Sequence, residues 1–577
     1  MSCCPDDIVN DNYAPQFLDV LMKSFGNKLV ENLLPLLLGV LAFFVIVGPR
    51  ALYPTNIAWL GAGDPAQHYL GWLFFRNSEW SFPIGLNPTY GLELGSAIVF
   101  SDSMPLFAFL FKPFASLLPE PFQYSGIWLL ACFVLQAWFG WKLTGLLSDR
   151  IPIRVFSTGL FIFAPPMMWR LHGHLSLVGH FVILAALYLA LHPRLERRTV
   201  AWASLLAVTA LVHAYLLAMV ALLWLADLVG KSVQRKLPIR KGTIELAVIL
   251  SMIGIVCWQA GYFSVGAGVN NSGSYGFWRM NMLSIVDASG WSYVLKDIPE
   301  AAGDYEGFNY LGLGVIFLIV CALPAALTGN TGLLETIRRF PALLVALAGL
   351  VVFAISNNVG FGSFGYEYYI PWKMQVLASV FRSAGRMFWP VFYAIIFVVI
   401  FLIVRGNSTR TAVYLLGFAL VIQIVDTSAA WKGIRETLMT EPITVWVTPM
   451  VDPFWEKAGA KYKKVHWIPP RDSSPQWLPI AAYAGTHGLA TDAVYLARVG
   501  TLALKQARRM ASDALKSGRY EADSLYILDE SVFREAAFSL DHTTDVLARV
   551  DGFNILAPGW KKCADCSHLA DEVKRTN

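Results

Sequence analysis

The chain has 577 residues, 56% of them hydrophobic and only 15% charged, with a mean hydropathy of +0.51. A soluble domain carries about a quarter charged residues, so that class is excluded. Apolar runs of roughly 17–25 residues, the length a helix needs to cross a bilayer, point to a polytopic membrane protein. The sequence pI near 8.7 is not a nucleic-acid signal, because the basic residues gather in short segments between apolar runs, and no nucleic-acid partner is expected.

In chain order, residues 1–32 are polar and too acidic for the start of a cleaved signal peptide, and read as a cytoplasmic N-terminal segment. Spans are predicted near 33–49, 122–147, 151–169, 176–192, 199–212, 214–230, 243–263, 310–328, 340–356, 389–404 and 411–429. Lys23, Lys28, Arg150, Arg154, Arg194, Arg197, Arg198, the run 230–241, Arg338, Arg339, Arg405 and Arg410 fall on one side only if 199–230 crosses twice, turning near His213. A single helix over that stretch would be about 45 Å long, too long for one crossing. The reading is about eleven transmembrane helices in a domain over 33–430, N-terminus inside, with outer loops 50–121, 265–309 and 357–388.

The apolar stretch 104–119 is too short and proline-rich to span, and is placed in the interface or as a re-entrant segment. The tail 431–577 alternates strand-like runs ("KKVHWIPP", "DAVYLARV", "DSLYILDE") with helical patterns, the helix at 501–517 being closed by Gly518. It is expected to be a small extracytoplasmic α/β domain with no chemistry of its own. Of the seven cysteines, only Cys563 and Cys566 have suggestive spacing, and a local disulfide or two idle thiols fits them better than zinc. The fold class is therefore mainly α, with an α/β domain at the end.

Polar residues crowd the predicted outer level. Asp64 in "GAGDPAQHYLGWLFFR" precedes proline, the signature of an N-cap, and serves as a cap alone or as a cap that also does chemistry. Asp102 in "VFSDSMPLF" raises the same choice, and the two acids could meet around an ion or a hydroxyl acceptor. "PPMMWRLHGHLSLVGHF" concentrates Arg170, His172, His174 and His180 at a turn, with spacing that suits a hydrogen-bonding cluster better than a zinc pair. His213 and Tyr215 would reach the same level. In "SVFRSAGRMFWP", Arg382 and Arg386 stand four apart, so on a helix they would share a face suited to a phosphate or to lipid headgroups. The loop 265–309 is rich in Gly, Asn and aromatics, as ligand-closing loops and interfacial belts both are.

The motifs "GDPAQHYLGW", "SAIVFSDSMPL", "RLHGHLSL" and "FRSAGRMFW", in this order and at one level, resemble the GT-C superfamily of membrane glycosyltransferases. More narrowly they resemble a bacterial membrane family known only as a domain of unknown function. The superfamily resemblance implies transfer of a sugar from a polyprenyl-phosphate-linked donor to a cell-surface glycan or lipid acceptor at the outer face of the bacterial inner membrane. It implies that Asp64 is the general base and that Arg382 and Arg386 hold the donor phosphate. Asp102, His68, His172 and His174 would shape the acceptor pocket or hold a metal. Arg170, His213, Tyr215 and Tyr310 would contact sugar or lipid. No cofactor is certain; a divalent cation, Mg or Mn, serves some relatives, and the absence of a D-x-D after Asp64 favours a metal-free reaction. The rivals are a transporter or lipid-linked-sugar flippase, against which the lack of repeats and the one-sided polar residues argue, and a non-catalytic envelope assembly factor.

Overall fold

In the computed structural model, residues 31–193, 195–265, 275–329 and 331–566 are described. Lys23 and Lys28 with the rest of 1–30, Arg194, and residues 266–274 of the Gly- and Asn-rich loop lie outside the described residues.

The chain is mainly helical because its leucine-, alanine- and phenylalanine-rich runs are interrupted by Pro, Gly and Ser at their ends, where helices stop. The first part comprises α1 (Glu31–Ile46), α2 (Gly63–Asn77), α3 (Pro105–Phe111), α4 (Ser125–Thr144), α5 (Ile151–Ile162), α6 (Pro165–Trp169) and α7 (Phe181–Leu191). It continues with α8 (Arg198–Ala210), α9 (Ala214–Val233), α10 (Ile239–Ala260), α11 (Leu313–Thr328), α12 (Leu333–Arg338) and α13 (Pro341–Ile355). A hairpin of β1 (Asn358–Phe361) and β2 (Phe364–Glu367) follows, then α14 (Trp372–Ala378), α15 (Trp389–Gly406) and α16 (Thr409–Leu438).

Among the described residues, six helical stretches are long and apolar enough to cross a membrane: Ser125–Thr144, Ile151–His172, Ala214–Val233, Ile239–Ala260, Ala384–Gly406 and Thr409–Leu438. The other five expected spans fall on apolar helices of 10–17 residues, so helix length by itself does not give eleven crossings. The segment 104–119 is a short helix running into a 3-10 turn at Lys112–Leu117. The break proposed near His213 is present: α8 ends at Ala210, His213 is extended, and its Nδ1 accepts the Tyr215 amide at 3.1 Å to start α9. At the far end of these helices Arg198 bonds both Asp227 (2.6 Å) and Glu245 (2.8 Å), so the buried charges there are paired.

The tail builds α17 (Pro453–Lys461), β3 (Lys464–Ile468), α18 (Trp477–Thr486), β4 (Ala490–Thr491), α19 (Thr501–Ser517), β5 (Ser524–Leu528), α20 (Glu530–Ser539), β6 (Val546–Val550) and β7 (Phe553–Ala557). The sheet order is β4-β3-β5-β7-β6, with β3 parallel to β4 and β5, and β7 antiparallel to β5 and β6. Helices return the chain between the parallel strands, and β5 and β7 are buried along their whole length. Gly518 closes α19 in the left-handed region, and Cys563 and Cys566 form a local disulfide.

"DAVYLARV" corrects one expectation. It is an irregular segment and not a strand, because its backbone bonds are spent elsewhere: the Ala497 amide donates to Phe100 O at 2.7 Å, and the Leu496 amide to Asp472 at 2.8 Å. Residues 89–91 extend the sheet edge, with Thr491 N donating to Thr89 O (2.9 Å) and Gly91 N to Thr491 O (2.7 Å). α18 packs on α2. The tail and segment 50–121 thus share one buried core, which includes Leu73, Phe74, Ile480 and Tyr483.

Candidate active site

Asp64 lies in the first turn of α2, but it does not cap it. The helix begins at Gly63, and the capping residue is Ala62, whose methyl group makes no bond to the free amides. The carboxylate turns outward instead: Oδ1 accepts the Tyr495 hydroxyl at 3.1 Å, and Oδ2 lies 3.4 Å from His174 Nδ1. The helix N-terminus still favours its negative charge. Gly173 fits beside it because a methyl group there would stand 2.9 Å from Asp64 Oδ2.

One turn further along α2, His68 Nε2 is 3.2 Å from Asp102 Oδ2. The helix reaches Asp102 because Gly71 leaves room for the Ser101 and Ser103 side chains, where a Cβ would collide with both. Asp102 does not cap the following helix either. It closes the 3-10 turn Ile98–Ser101 in the left-handed region, at φ 53°, and Met104 stands at the start of α3. Its Oδ1 accepts from Ser176 Oγ at 2.7 Å and lies 3.7 Å from His213 Nε2. Burial would raise this carboxyl, but the imidazoles of His213, His68 and His174 outweigh it and hold Asp102 well below the ordinary carboxylate range. Burial in turn pushes His213 down to about 4 despite Asp102.

His174 joins the acids. Besides Asp64, its Nδ1 is 3.9 Å from Asp102 Oδ2, and its Nε2 is 3.7 Å from Glu306 Oε1. Glu306 is buried between two guanidiniums, Arg170 Nη1 at 2.9 Å and Arg386 Nε at 2.8 Å. Burial acts to raise its carboxyl, and the two arginines more than reverse this. Arg386 also lies over the Tyr215 ring at 5.1 Å, and the Tyr215 hydroxyl accepts the Ser383 amide at 2.9 Å.

Arg382 and Arg386 do not share a helical face. The chain breaks at Ser383, between the 3-10 turns Ser379–Phe381 and Ala384–Phe388, so Arg386 is buried against Glu306 while Arg382 is half-buried. Burial lowers the Arg382 pKa, and Arg386 and Arg498 are the other positive charges near it. Two further expected residues lie elsewhere: His172 is exposed and packs on Trp169, and Tyr310 donates to Asp426 at 3.0 Å in a separate network. His180 is a core residue bonded to Tyr393 at 2.8 Å.

Sequence reasoning missed Glu306, Tyr495, Arg498 and Asp472. Glu306 lies in the loop 265–309 with no signal beyond its charge. The tail residues arrive only by docking: Arg498 Nη2 donates to Val380 O at 2.6 Å, and Asp472 holds the Leu496 amide beside Tyr495.

His68, Asp102 and His174 offer donor atoms within 4.8 Å of one another; His68 Nε2 faces Asp102 Oδ2, and the buried His68 Nδ1 has no hydrogen-bond partner among the described residues. Two imidazoles and one carboxylate fit a divalent transition metal such as Mn better than Mg, which prefers oxygen ligands. With side-chain exposures of 24% for Asp64 and 30% for His174, the cluster is open to a ligand.

The fold and this cluster define the class: a bundle of apolar helices, several able to span a membrane, with an acid–histidine–arginine site at one end closed by an α/β domain. The chain belongs to the family described as Domain of unknown function (DUF6311), which matches residues 36–428. The DUF6311 C-terminal domain matches residues 454–558. No curated protein matches the chain.

Proposed function

We propose that this is a GT-C-type membrane glycosyltransferase that moves a sugar from a polyprenyl-phosphate-linked donor to a cell-surface glycan or lipid acceptor. The observation that carries the reading is Asp64: a partly exposed carboxylate in the first turn of a helix, held by Tyr495 and His174 on either oxygen. Such a group is oriented and reachable, as a general base must be. In this reading Asp64 takes the proton of the acceptor hydroxyl, the acceptor oxygen bonds the anomeric carbon, and the bond from that carbon to the donor phosphate breaks. Arg382 meets the departing phosphate, and Arg386, tied through Nε to Glu306, adds fixed positive charge behind it. Asp102, His68 and His174 line the acceptor side or would hold a divalent cation, which would supply positive charge beside the reacting groups. His213 and Tyr215 brace that wall.

The topology that goes with this reading has eleven crossings, the N-terminus in the cytoplasm, and the site with the α/β domain outside the bacterial inner membrane. The one-sided placement supports it: Asp64, Asp102, His174 and Arg386 gather at the end of the bundle opposite to Arg154 and Arg198.

The test is Asp64→Asn in a deletion strain, comparing surface glycans by mass spectrometry with wild-type and null strains. Since Asp64 makes no cap bond, the change removes the base and leaves the helix start as it is. A normally expressed variant with the null strain's glycan supports the transferase. A wild-type glycan moves the base elsewhere. A null strain with no missing sugar turns the reading to transport or assembly.

A further inference from the structure

The hairpin β1–β2 and helix α14 should not be stable as they stand in water. α14 has seven residues, none of them buried, whereas isolated helices below about 12–15 residues are marginal even with favourable sequences. The two strands have four residues each, and an isolated hairpin of that size is equally marginal. Yet both expose large apolar side chains: Phe364 is 79% exposed, Tyr369 87%, Trp372 70% and Leu377 74%. From Phe361 to Phe381 the only charged residues are Glu367 and Lys373.

One side of this shelf is tied to the protein. Arg279 Nη1 donates to Asn358 O (2.8 Å), Asn281 Nδ2 to Gly362 O (2.8 Å), and the Tyr275 amide to Ser379 Oγ (3.1 Å). The other side carries the exposed aromatics. Its level is set at both ends by apolar helices, since α13 stops at Ile355 just before the hairpin and the apolar stretch Ala384–Gly406 starts soon after α14. Aromatic and aliphatic side chains at the mouth of spanning helices, with few charges, match the boundary between headgroups and acyl chains.

We propose that residues 358–380 form a shelf lying in the lipid leaflet at the site end of the bundle, so that lipid acyl or isoprenoid chains are the covering that Phe364, Tyr369, Trp372 and Leu377 lack within the protein. Arg382 lies four residues beyond α14, at the inner edge of the shelf. A lipid on the shelf therefore has its phosphate level with a guanidinium, and the positive charge complements it. The inference stands on exposure and placement and does not depend on Asp64 being a base.

The experiment uses the full chain in native membranes. The photoreactive amino acid p-benzoylphenylalanine replaces Phe364, Tyr369 or Trp372 one at a time, aromatic for aromatic. Val352, on the apolar helix α13 and 65% exposed, is the lipid-facing reference; Phe538, in the α/β domain and 92% exposed, is the water-facing one. After irradiation the adducts are weighed. Lipid adducts at the three shelf positions at a yield like that at 352 are expected. Yields like that at 538 overturn the proposal. So do adducts to a second copy of the chain or to another protein, which would make the shelf a protein interface.

Discussion

The hydroxyl of Tyr495 donates to Oδ1 of Asp64 at 3.1 Å across 431 residues of sequence. The contact places a side chain of the α/β domain on the carboxylate proposed as base. Burial and the Asp64 charge both raise the Tyr495 pKa, so its hydroxyl stays a donor. Tyr495→Phe keeps the ring, which packs on Trp477 at 5.5 Å, and removes only the bond. A hydrogen bond to a charged group contributes about 1.5–3 kcal/mol. The expected result is roughly a tenfold or greater fall in glycan output, with expression and melting temperature close to wild type. Unchanged output would show that Asp64 is positioned without it.

Glu306 is the buried counter-ion for Arg170 and Arg386. Removing one partner of a buried pair leaves an uncompensated charge and costs about 3–5 kcal/mol. Glu306→Gln should therefore lower the melting temperature of the detergent-solubilised protein sharply, in a static light-scattering or fluorescence ramp. Asp64→Asn, at a partly exposed site, should hardly move it. Equal melting temperatures for the two variants would count against a structural role for the trio.

Asp472 is pushed up to about 6 by burial. A carboxyl raised in the folded state prefers its neutral form there, so ionisation costs stability as pH rises from about 4 to 6, and the cost is then constant. Asp472→Asn keeps an acceptor for the Leu496 amide and removes this cost. The variant should match wild type near pH 4 and be more stable by about 3 kcal/mol at pH 7. The difference in melting temperature between the two proteins across that range measures it, and a flat difference would mean that Asp472 titrates normally.

Manganese binding tests the histidine–acid trio. The purified chain, stripped with chelator and titrated with Mn2+, should lose affinity by more than about 100-fold in His68→Ala and in His174→Ala. A second group, Glu93, His466 and Asp492, also has donor atoms within 4.8 Å. His466→Ala therefore serves as the comparison. Loss only in that variant would move the cation from the candidate active site to the seam between segment 50–121 and the α/β domain.

Much of the helical frame is written in local sequence. Apolar run length foretells helices on all eleven expected segments, and the excess length of 199–230 foretells the turn at His213 before α9. Gly518 ended α19, and two of three strand-like runs became β3 and β5. These are decided within a few residues, by hydrophobic periodicity and by which residue tolerates a helix end. The site is different in kind. Proline after Asp64 suggested a cap, but the carboxylate is held by Tyr495 and His174 instead. The spacing of Arg382 and Arg386 suggested one face, but the break at Ser383 sends Arg386 to Glu306. The alternating pattern of "DAVYLARV" read as a strand because it shows only which residues are apolar. Its hydrogen bonds go to Phe100, hundreds of residues away, and to Asp472, on the far side of α18 and β4. Sequence alone determined the apolar helical character and most of the element positions. Only the tertiary structure decided which charges meet, because a carboxylate's partner is set by distances of three to four ångströms between segments whose separation along the chain carries no record of it.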